Sequence, residues 1–521
     1  MSTIKSFTFG KEDFKQFESL EHWHNWPVVY IIENEDEMYI WETTNIYSRS
    51  NQHLTNEKRR NLNNIHIISD DEFNKSATLD IESQLIQNIF ADWIFKIQNW
   101  NKWIHDHDYF NRDLYRAKFE VLWKKLISMW LAKSELIQIK NSDIFKFSPY
   151  KYLTEDQFYV TSDIIDKLSW ESKTFLVSWK PWTWKTILAI YLLKALADDE
   201  RTKTLKIGLV IPMTSLRKTI RKVIWKIKGL KSSMVMWPTE VINENYDLLI
   251  VDESHRLKKR KNLTNYSSHD NINKRLWLDS QGTELDWILK SSKFQVLLYD
   301  ENQSIRPSDI DPKIFKSLNC YDHILSTQMR VLWWEDYIDF IDNIFENRKP
   351  DVTKFKDYEF KIFDDIWEMV DQIKLRDKEY WLSRMAAGFA WPWISYEDKS
   401  KFDIKIWETK LQWNSITQDW VNSPNALNEV GCIHTLQWYD LNYIWVIIWP
   451  ELSYDPSLKE FKINKKNYYD SNWKRWIEYP EELKRYIINI YKTLLVRWIK
   501  WCYIYCVDKS VEEYFKSHLW L

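Results

Sequence analysis

Glycine is what this chain most conspicuously lacks. It has six in 521 residues, where an average composition holds about 7%. Cysteine is scarce too: Cys320, Cys432, Cys502 and Cys506 are all there are. None has zinc-type pairing, which excludes a disulfide scaffold and points to a reducing cytoplasm. No run approaches the roughly 18 apolar residues of a membrane span, and the start, MSTIKSFTFGKEDF, has no signal-peptide core, so a cytoplasmic chain without a membrane segment is expected. Charge is balanced, with 73 Lys+Arg against 75 Asp+Glu, so any nucleic-acid binding must come from local patches. Hydrophobic residues at 45% and charged residues at 28% exclude a disordered or collagen-like chain. The length alone predicts about three domains.

What the chain has instead is tryptophan, 33 of them. Many stand where glycine belongs. Asn25-Trp26, Asn99-Trp100 and Asn472-Trp473 replace the usual Asn-Gly turn, and Trp26-Pro27, Trp237-Pro238 and Trp449-Pro450 replace Gly-Pro. Glycine takes these places because it alone adopts φ > 0 cheaply. The expectation is that most of these tryptophans are UGA codons which the source cell reads as glycine. Heavy use of Lys, Asn, Ile and Tyr fits the AT-rich genome such a code accompanies. Trp391, Trp393 and Trp413, in GFAWPWIS and LQWNS, read as genuine aromatics.

Residues 174–197 read TFLVSWKPWTWKTILAIYLLKALA, a β-rich run followed by an apolar helix. With glycine at 179, 182 and 184 the linking segment becomes GKPGTGKT, a phosphate-binding P-loop in strand–loop–helix context. The loop comprises Trp179, Lys180, Pro181, Trp182, Thr183, Trp184, Lys185 and Thr186. Its backbone N–H groups wrap phosphate oxygens, which leaves no room for Cβ atoms. Lys185 then reaches the β- and γ-phosphates of ATP, and Thr186 holds Mg²⁺. Some sixty residues on, YDLLIVDES (246–254) is an apolar strand closing on Asp252, a magnesium ligand, and Glu253, which orients the attacking water.

FQVLLYDENQS (294–304) closes another strand on Asp300 and Gln303; LSTQMR (325–330), GCIHTLQWYDLNYIWVIIWPEL (431–452) and LLVRWIKWCYIYCVD (494–508) follow. In this order the segments resemble superfamily 1 helicase motifs. More closely, residues 146–510 resemble the bacterial Schlafen-like DNA/RNA helicase-type ATPases. The resemblance implies two RecA-like, doubly wound α/β domains (148–330 and 331–521) with ATP between them. It implies Gln157, in SPYKYLTEDQ, as the adenine contact and Gln303 as the coupling glutamine. Arg330 and Arg497 would reach the γ-phosphate, and His434, Thr435 and Gln437 would line the strand-binding or coupling surface. Strand-like runs at 206–211, 247–251, 294–299, 443–448 and 502–507 alternate with helical stretches, as such a fold requires.

At the other end, Val28-Val29-Tyr30 and Tyr39-Ile40-Trp41 read as two strands around the acidic turn Glu33 to Glu37. Arg49 and His53 share one helix face, and Glu82 lies in the helical run ATLDIESQLIQ. Residues 24–103 resemble the GIY-YIG endonucleases, with VVY for GIY and Glu42 where repair relatives often carry lysine. The resemblance implies Glu82 on a divalent metal and Arg49 on the scissile phosphate. Tyr30, Tyr39 or His53 would activate water, and Asn99 would complete the site. Residues 104–147 read as a helical connector.

The expected function is an ATP-dependent translocase or helicase acting on DNA or RNA, with an N-terminal endonuclease, in defence or repair. An ATP-gated sensor that does not unwind is the alternative. Tryptophans that are real would instead make a dead scaffold.

Overall fold

The computed structural model describes residues 2–10, 24–99, 109–151, 153–168, 173–179, 185–263, 265–300, 308–325, 334–350, 360–417, 419–436, 439, 441–470 and 480–519. Tertiary contacts divide the chain into two units. The first is Met1–Lys167 with Thr186–Thr204 and Ile220–Ser233; the second is Leu168–Lys185, Leu205–Thr219 and Met234–Leu521.

The first unit holds a five-stranded sheet built from β1 (Thr3–Thr8), β2 (His24–Glu33), β3 (Glu37–Asn45), β4 (Asn64–Ser69) and β5 (Lys96–Ile97), in the order β1-β4-β2-β3-β5. The two strands read from VVY and YIW form the antiparallel pair β2–β3, with Tyr30 opposite Trp41. The sheet extends upstream of position 24, because β1 pairs antiparallel with β4 along its whole length. β1 reads TIKSFT and is mostly exposed, as an edge strand with an outward lysine should be. Helix α1 (Ile46–Leu54) starts at Asn45, whose side chain accepts from Ser48 N at 3.0 Å. Helix α2 (Lys75–Asp92) starts at Asn74, which accepts from Ala77 N at 2.9 Å. Each such cap contributes about 1 kcal/mol. The expected connector is helical at Arg112–Ser128, Leu136–Asn141 and Asp143–Lys146.

The second unit holds two further sheets. One runs parallel throughout: β6 (Thr174–Trp179), β7 (Ile207–Val210), β8 (Val235–Met236), β9 (Tyr246–Val251), β10 (Ser292–Tyr299) and β11 (Cys320–Leu325), ordered β11-β6-β10-β9-β7-β8. Its inner strands β9 and β10 end in apolar runs because the middle of a parallel sheet is covered on both faces; YDLLIV and FQVLLY close on buried residues, whereas the edge strand β11, CYDHIL, is largely uncovered. The other sheet contains β12 (Phe360–Ile362), β13 (Ser383–Ala387), β14 (Ile404–Ile406), β15 (Thr409–Trp413), β16 (Glu429–Cys432) and β17 (Leu441–Ile448), then β20 (Trp498–Cys506). Its order is β12-β20-β17-β13-β16-β15-β14, and only β14–β15 is antiparallel. A hairpin of β18 (Leu452–Asp455) and β19 (Glu460–Ile463) follows β17. The protein is thus a mixed α/β chain with parallel sheets. Among the described residues no helix is long and apolar enough to cross a membrane.

Two groups of tryptophans stand out among the described residues. Trp123, Trp287, Trp420 and Trp498 are fully buried. Their indole N–H groups donate to Ser134 O, Asn273 Oδ1, Glu429 Oε2 and Leu495 O at 2.6–3.0 Å. Trp93, Trp130, Trp277, Trp381 and Trp407 instead have φ between 51° and 62°. Trp93 and Trp381 sit at the C-terminal caps of α2 and of the helix Ile366–Tyr380, where glycine is the usual residue. Trp130, Trp277 and Trp407 are 86%, 91% and 85% exposed.

Candidate functional site

The first candidate site lies at the carboxyl edge of the parallel sheet β6–β11, the edge at which open α/β sheets bind ligands. β10 is paired on one side with β6 and on the other with β9. The ends of these three strands therefore stand side by side. β6 leads into the phosphate-loop segment, of which Lys180, Pro181, Trp182, Thr183 and Trp184 lie outside the described residues. Lys185 and Thr186 open the helix Lys185–Asp198, and both are buried. Lys185 Nζ is ion-paired with Asp300 Oδ2, at the end of β10.

Asp252 follows β9 and is fully buried. Its Oδ1 accepts from Glu253 N at 3.0 Å. Glu253 itself has φ 53°, in the left-handed region, a strained backbone of the kind found at functional sites. Ser254 Oγ donates to Leu298 O at 2.8 Å and ties this turn to β10. His255 Nε2 lies 2.9 Å from Glu253 Oε2, with both side chains buried. Burial alone would raise the Glu253 pKa, but His255, Lys185 and Arg256 together hold its carboxyl well below the usual carboxylate range. The site therefore assembles a cation, two acidic strand ends and an ionised carboxylate. That combination can hold phosphates, a divalent ion and an attacking water. His255 was not singled out from the sequence. Its only signal is its place two residues after Glu253 in VDESHR.

The other residues expected at this site are placed as follows. Gln157 is buried on the helix Glu155–Lys167, and its Oε1 accepts from Thr154 N at 3.1 Å. The backbone of Trp179 ends β6. Gln303, Arg330 and Gln437 lie outside the described residues. Arg497 is buried immediately before β20, and its carbonyl accepts from Leu441 N. His434 and Thr435 follow β16; His434 Nε2 is 3.1 Å from Asp470 Oδ2, and Thr435 Oγ1 donates to Cys432 O at 2.9 Å.

The second candidate site is in the first sheet. β2 supplies Tyr30 and β3 supplies Tyr39, both buried. α1 supplies Arg49 and His53 one turn apart. Tyr30 Oη is 2.5 Å from His53 Nε2, and the Tyr39 ring packs edge-on against the His53 ring at 5.0 Å. Arg49 lies over the Trp41 ring at 5.6 Å. α2 supplies Glu82, 3% exposed, whose Oε2 accepts from Glu42 N at 3.2 Å. Glu42 Oε1 is paired with Lys75. Asn99 Oδ1 accepts from Ile40 N at 2.9 Å, which fixes Asn99 beside the middle of β3.

Burial dominates the electrostatics here. It raises the Tyr30 pKa well above its ordinary value, with Tyr39 adding to the rise and Arg49 and Arg59 opposing it. It pushes Tyr39 up to about 12. It pushes His53 down to about 3, helped by Arg59 and then Arg49. The structure thus brings Tyr30, Tyr39, Arg49, His53, Glu82 and Asn99 around β2 and β3. It adds Arg59, the middle one of the consecutive basic residues Lys58-Arg59-Arg60. Among the described residues no group of three or more His, Cys, Asp and Glu is placed to hold a metal ion. Any metal at this site would rest on Glu82 with ligands from substrate and water, the donor set of a hard oxygen-seeking cation.

Residues 172–508 match the family described as Schlafen group 3, DNA/RNA helicase domain. The uncharacterized protein YPL245W of Saccharomyces cerevisiae is 26% identical over 348 residues, 58% of this chain and 73% of that protein. Two solved structures are similar at lower identity. Arterivirus nonstructural protein 10, a helicase in complex with DNA, is 11% identical with a TM-score of 0.29, over 66% of this chain. The chain spans 63% of that helicase's length. The DEAD-box helicase Mss116, bound to single-stranded RNA and UDP-BeF, is 14% identical with a TM-score of 0.33, over 74% of this chain and 79% of its own.

Proposed function

The chain belongs to the Schlafen group 3 DNA/RNA helicase-domain family through residues 172–508, and from that premise we propose an enzyme that couples ATP hydrolysis to movement on, or remodelling of, DNA or RNA, and cuts a strand with its N-terminal module. The observation that carries the ATPase is the meeting of Lys185, Asp300 and the Glu253–His255 pair at three adjacent parallel strand ends. In this reading Lys185 draws in the β- and γ-phosphates, Asp252 and Thr186 hold magnesium, and Glu253 orients the attacking water. Gln157 reads adenine, while Gln303, Arg330 and Arg497 complete the nucleotide site. His434, Thr435 and Gln437 face the nucleic acid. Two RecA-like halves, at 148–330 and 331–521, carry these parts.

For the nuclease, Glu82 holds one divalent metal that polarises the scissile phosphate, and Arg49 offsets the charge that develops on it. Tyr30, Tyr39 or His53 accepts the proton of the attacking water, with Asn99 holding β3 in register. The test is ATP turnover, with and without single-stranded DNA or RNA, and cleavage of a labelled oligonucleotide in magnesium or manganese. No turnover and no cut by the chain carrying glycine at 41, 179, 182 and 184 would sink both assignments.

We infer further that the protein in its own cell carries glycine at the left-handed tryptophans. A Cβ at φ near +60° costs about 1 kcal/mol, and three of the five indoles, those of Trp130, Trp277 and Trp407, are 85–91% exposed. Replacing Trp93, Trp130, Trp277, Trp381 and Trp407 together by glycine should raise the unfolding free energy by several kcal/mol, on the order of 5. Thermal unfolding measures it. A fall in Tm would show that the indoles belong there. Peptide masses of the native protein give the direct answer: glycine at these five and tryptophan at 123, 287, 420 and 498.

A further inference from the structure

Arg59 has no part in the roles above. It ends the short turn Glu57–Arg59 just beyond α1. Its Nη1 is hydrogen-bonded to His53 Nδ1, and its guanidinium lies 3.7 Å over the Tyr39 ring. A guanidinium has donors and no acceptor, so the Nδ1 it meets must be the unprotonated, accepting nitrogen. A neutral imidazole with a bare Nδ1 carries its proton on Nε2. That nitrogen lies 2.5 Å from Tyr30 Oη. The direction of the His53–Tyr30 bond follows: histidine donates and tyrosine accepts. The charged and titratable groups facing His53 and Tyr30 agree with a neutral ring. Arg59 and Arg49 both disfavour a second proton on His53, burial disfavours it further, and Tyr39 is itself held protonated by burial.

We propose that Arg59 is a positioning residue of the nuclease site, which locks His53 as the neutral Nε2–H tautomer and so makes it a hydrogen-bond donor to Tyr30. In that state neither ring nitrogen is open to a proton: Nε2 has one, and Nδ1 is occupied by Arg59. His53, 1% exposed, leaves the set of groups that accept a proton from water; a tyrosine takes that proton only as the phenolate, after its own proton has passed to solvent, and the Nε2–H of His53 donates to that phenolate at Tyr30. Arg59 and Arg49 place two fixed positive charges beside the Tyr30 oxygen, which favour any negative charge that develops there. This rests on the nuclease reading for its functional meaning, but the tautomer itself does not.

Full-length protein labelled with [15N]histidine allows two-bond N–H correlation to read which ring nitrogen holds the hydrogen. The His53 signals are assigned by their loss in His53→Gln. Wild type should show Nε2–H and a bare Nδ1 from pH 8 to pH 5. Arg59→Met should lose that pure pattern and slow cleavage of a labelled oligonucleotide by about tenfold. Arg59→Lys, also a donor only, should restore both. Where Arg59→Met fails to fold, Arg59→Gln, whose amide can also accept, serves instead. An Nδ1–H pattern in wild type, or an unchanged Nε2–H pattern in both the methionine and glutamine variants, overturns the proposal. An Nε2–H pattern lost on Arg59 replacement in a protein that cuts nothing would keep the lock and overturn the nuclease reading alone.

Discussion

Lys185→Ala, made in the chain with glycine at 179, 182 and 184, should abolish ATP hydrolysis, lowering turnover by about a thousandfold. The lysine is the cation that meets the transferred phosphoryl group, and no other described residue at the three strand ends offers a flexible ammonium. The structure adds a second consequence. Lys185 is paired with Asp300, and both side chains are buried. Removing one partner of a buried pair typically costs about 3–5 kcal/mol, because the remaining charge stays desolvated. Lys185→Ala should therefore unfold more easily as well as fail to turn over. The double variant Lys185→Ala with Asp300→Asn separates the two effects. It should recover most of the stability and none of the ATPase, measured by thermal unfolding and phosphate release. Undiminished turnover in the single variant would remove Lys185 from the nucleotide site. Activity recovered in the double variant would make the loss one of folding.

Glu82→Gln should eliminate metal-dependent cleavage while leaving the fold intact. The amide matches the carboxylate in size, and its oxygen can still accept from Glu42 N, as Glu82 Oε2 does at 3.2 Å. What it cannot do is bind a hard divalent cation with a full negative charge. Loss of the metal removes several kcal/mol of transition-state stabilisation, or about a thousandfold at roughly 4 kcal/mol. A gel assay over a magnesium and manganese titration reads this, alongside Tm. Cleavage at the wild-type rate with unchanged Tm would take Glu82 out of the site. ATP hydrolysis should not respond to this substitution, which keeps the two activities separable.

The parallel sheets were legible because their strands are buried on both faces and so leave long apolar runs. YDLLIV and FQVLLY were bounded to within two residues by pattern alone. Tyr30, Tyr39, Arg49 and His53 were legible because one hairpin and one helix turn bring them together locally. Strand order was not readable. That β10 lies between β6 and β9, and so carries Asp300 to Lys185, depends on pairing between segments more than a hundred residues apart. His255 escaped notice because a histidine after Asp-Glu-Ser has no periodic signature. Arg59 escaped for a different reason: three consecutive basic residues look alike in sequence, and only the fold sets the Arg59 guanidinium over the Tyr39 ring. β1 was missed because TIKSFT has too little apolar character to mark a strand, and gains its place only from β4.

That edge strand has a practical consequence for anyone isolating the first module. The resemblance to a nuclease begins at position 24, and a fragment cut there would be the natural choice. It would discard Thr3–Thr8 and bare one edge of the β4 segment NIHIIS, whose backbone groups on that side β1 now pairs from Thr3 opposite Ser69 to Thr8 opposite Asn64, the other side being paired with β2. A sticky, isoleucine-rich border of that kind recruits a second copy of itself. The trimmed piece would be expected to dimerise or precipitate, and its silence in a cleavage assay would say nothing about the catalytic residues. Retaining the first ten residues keeps the border closed.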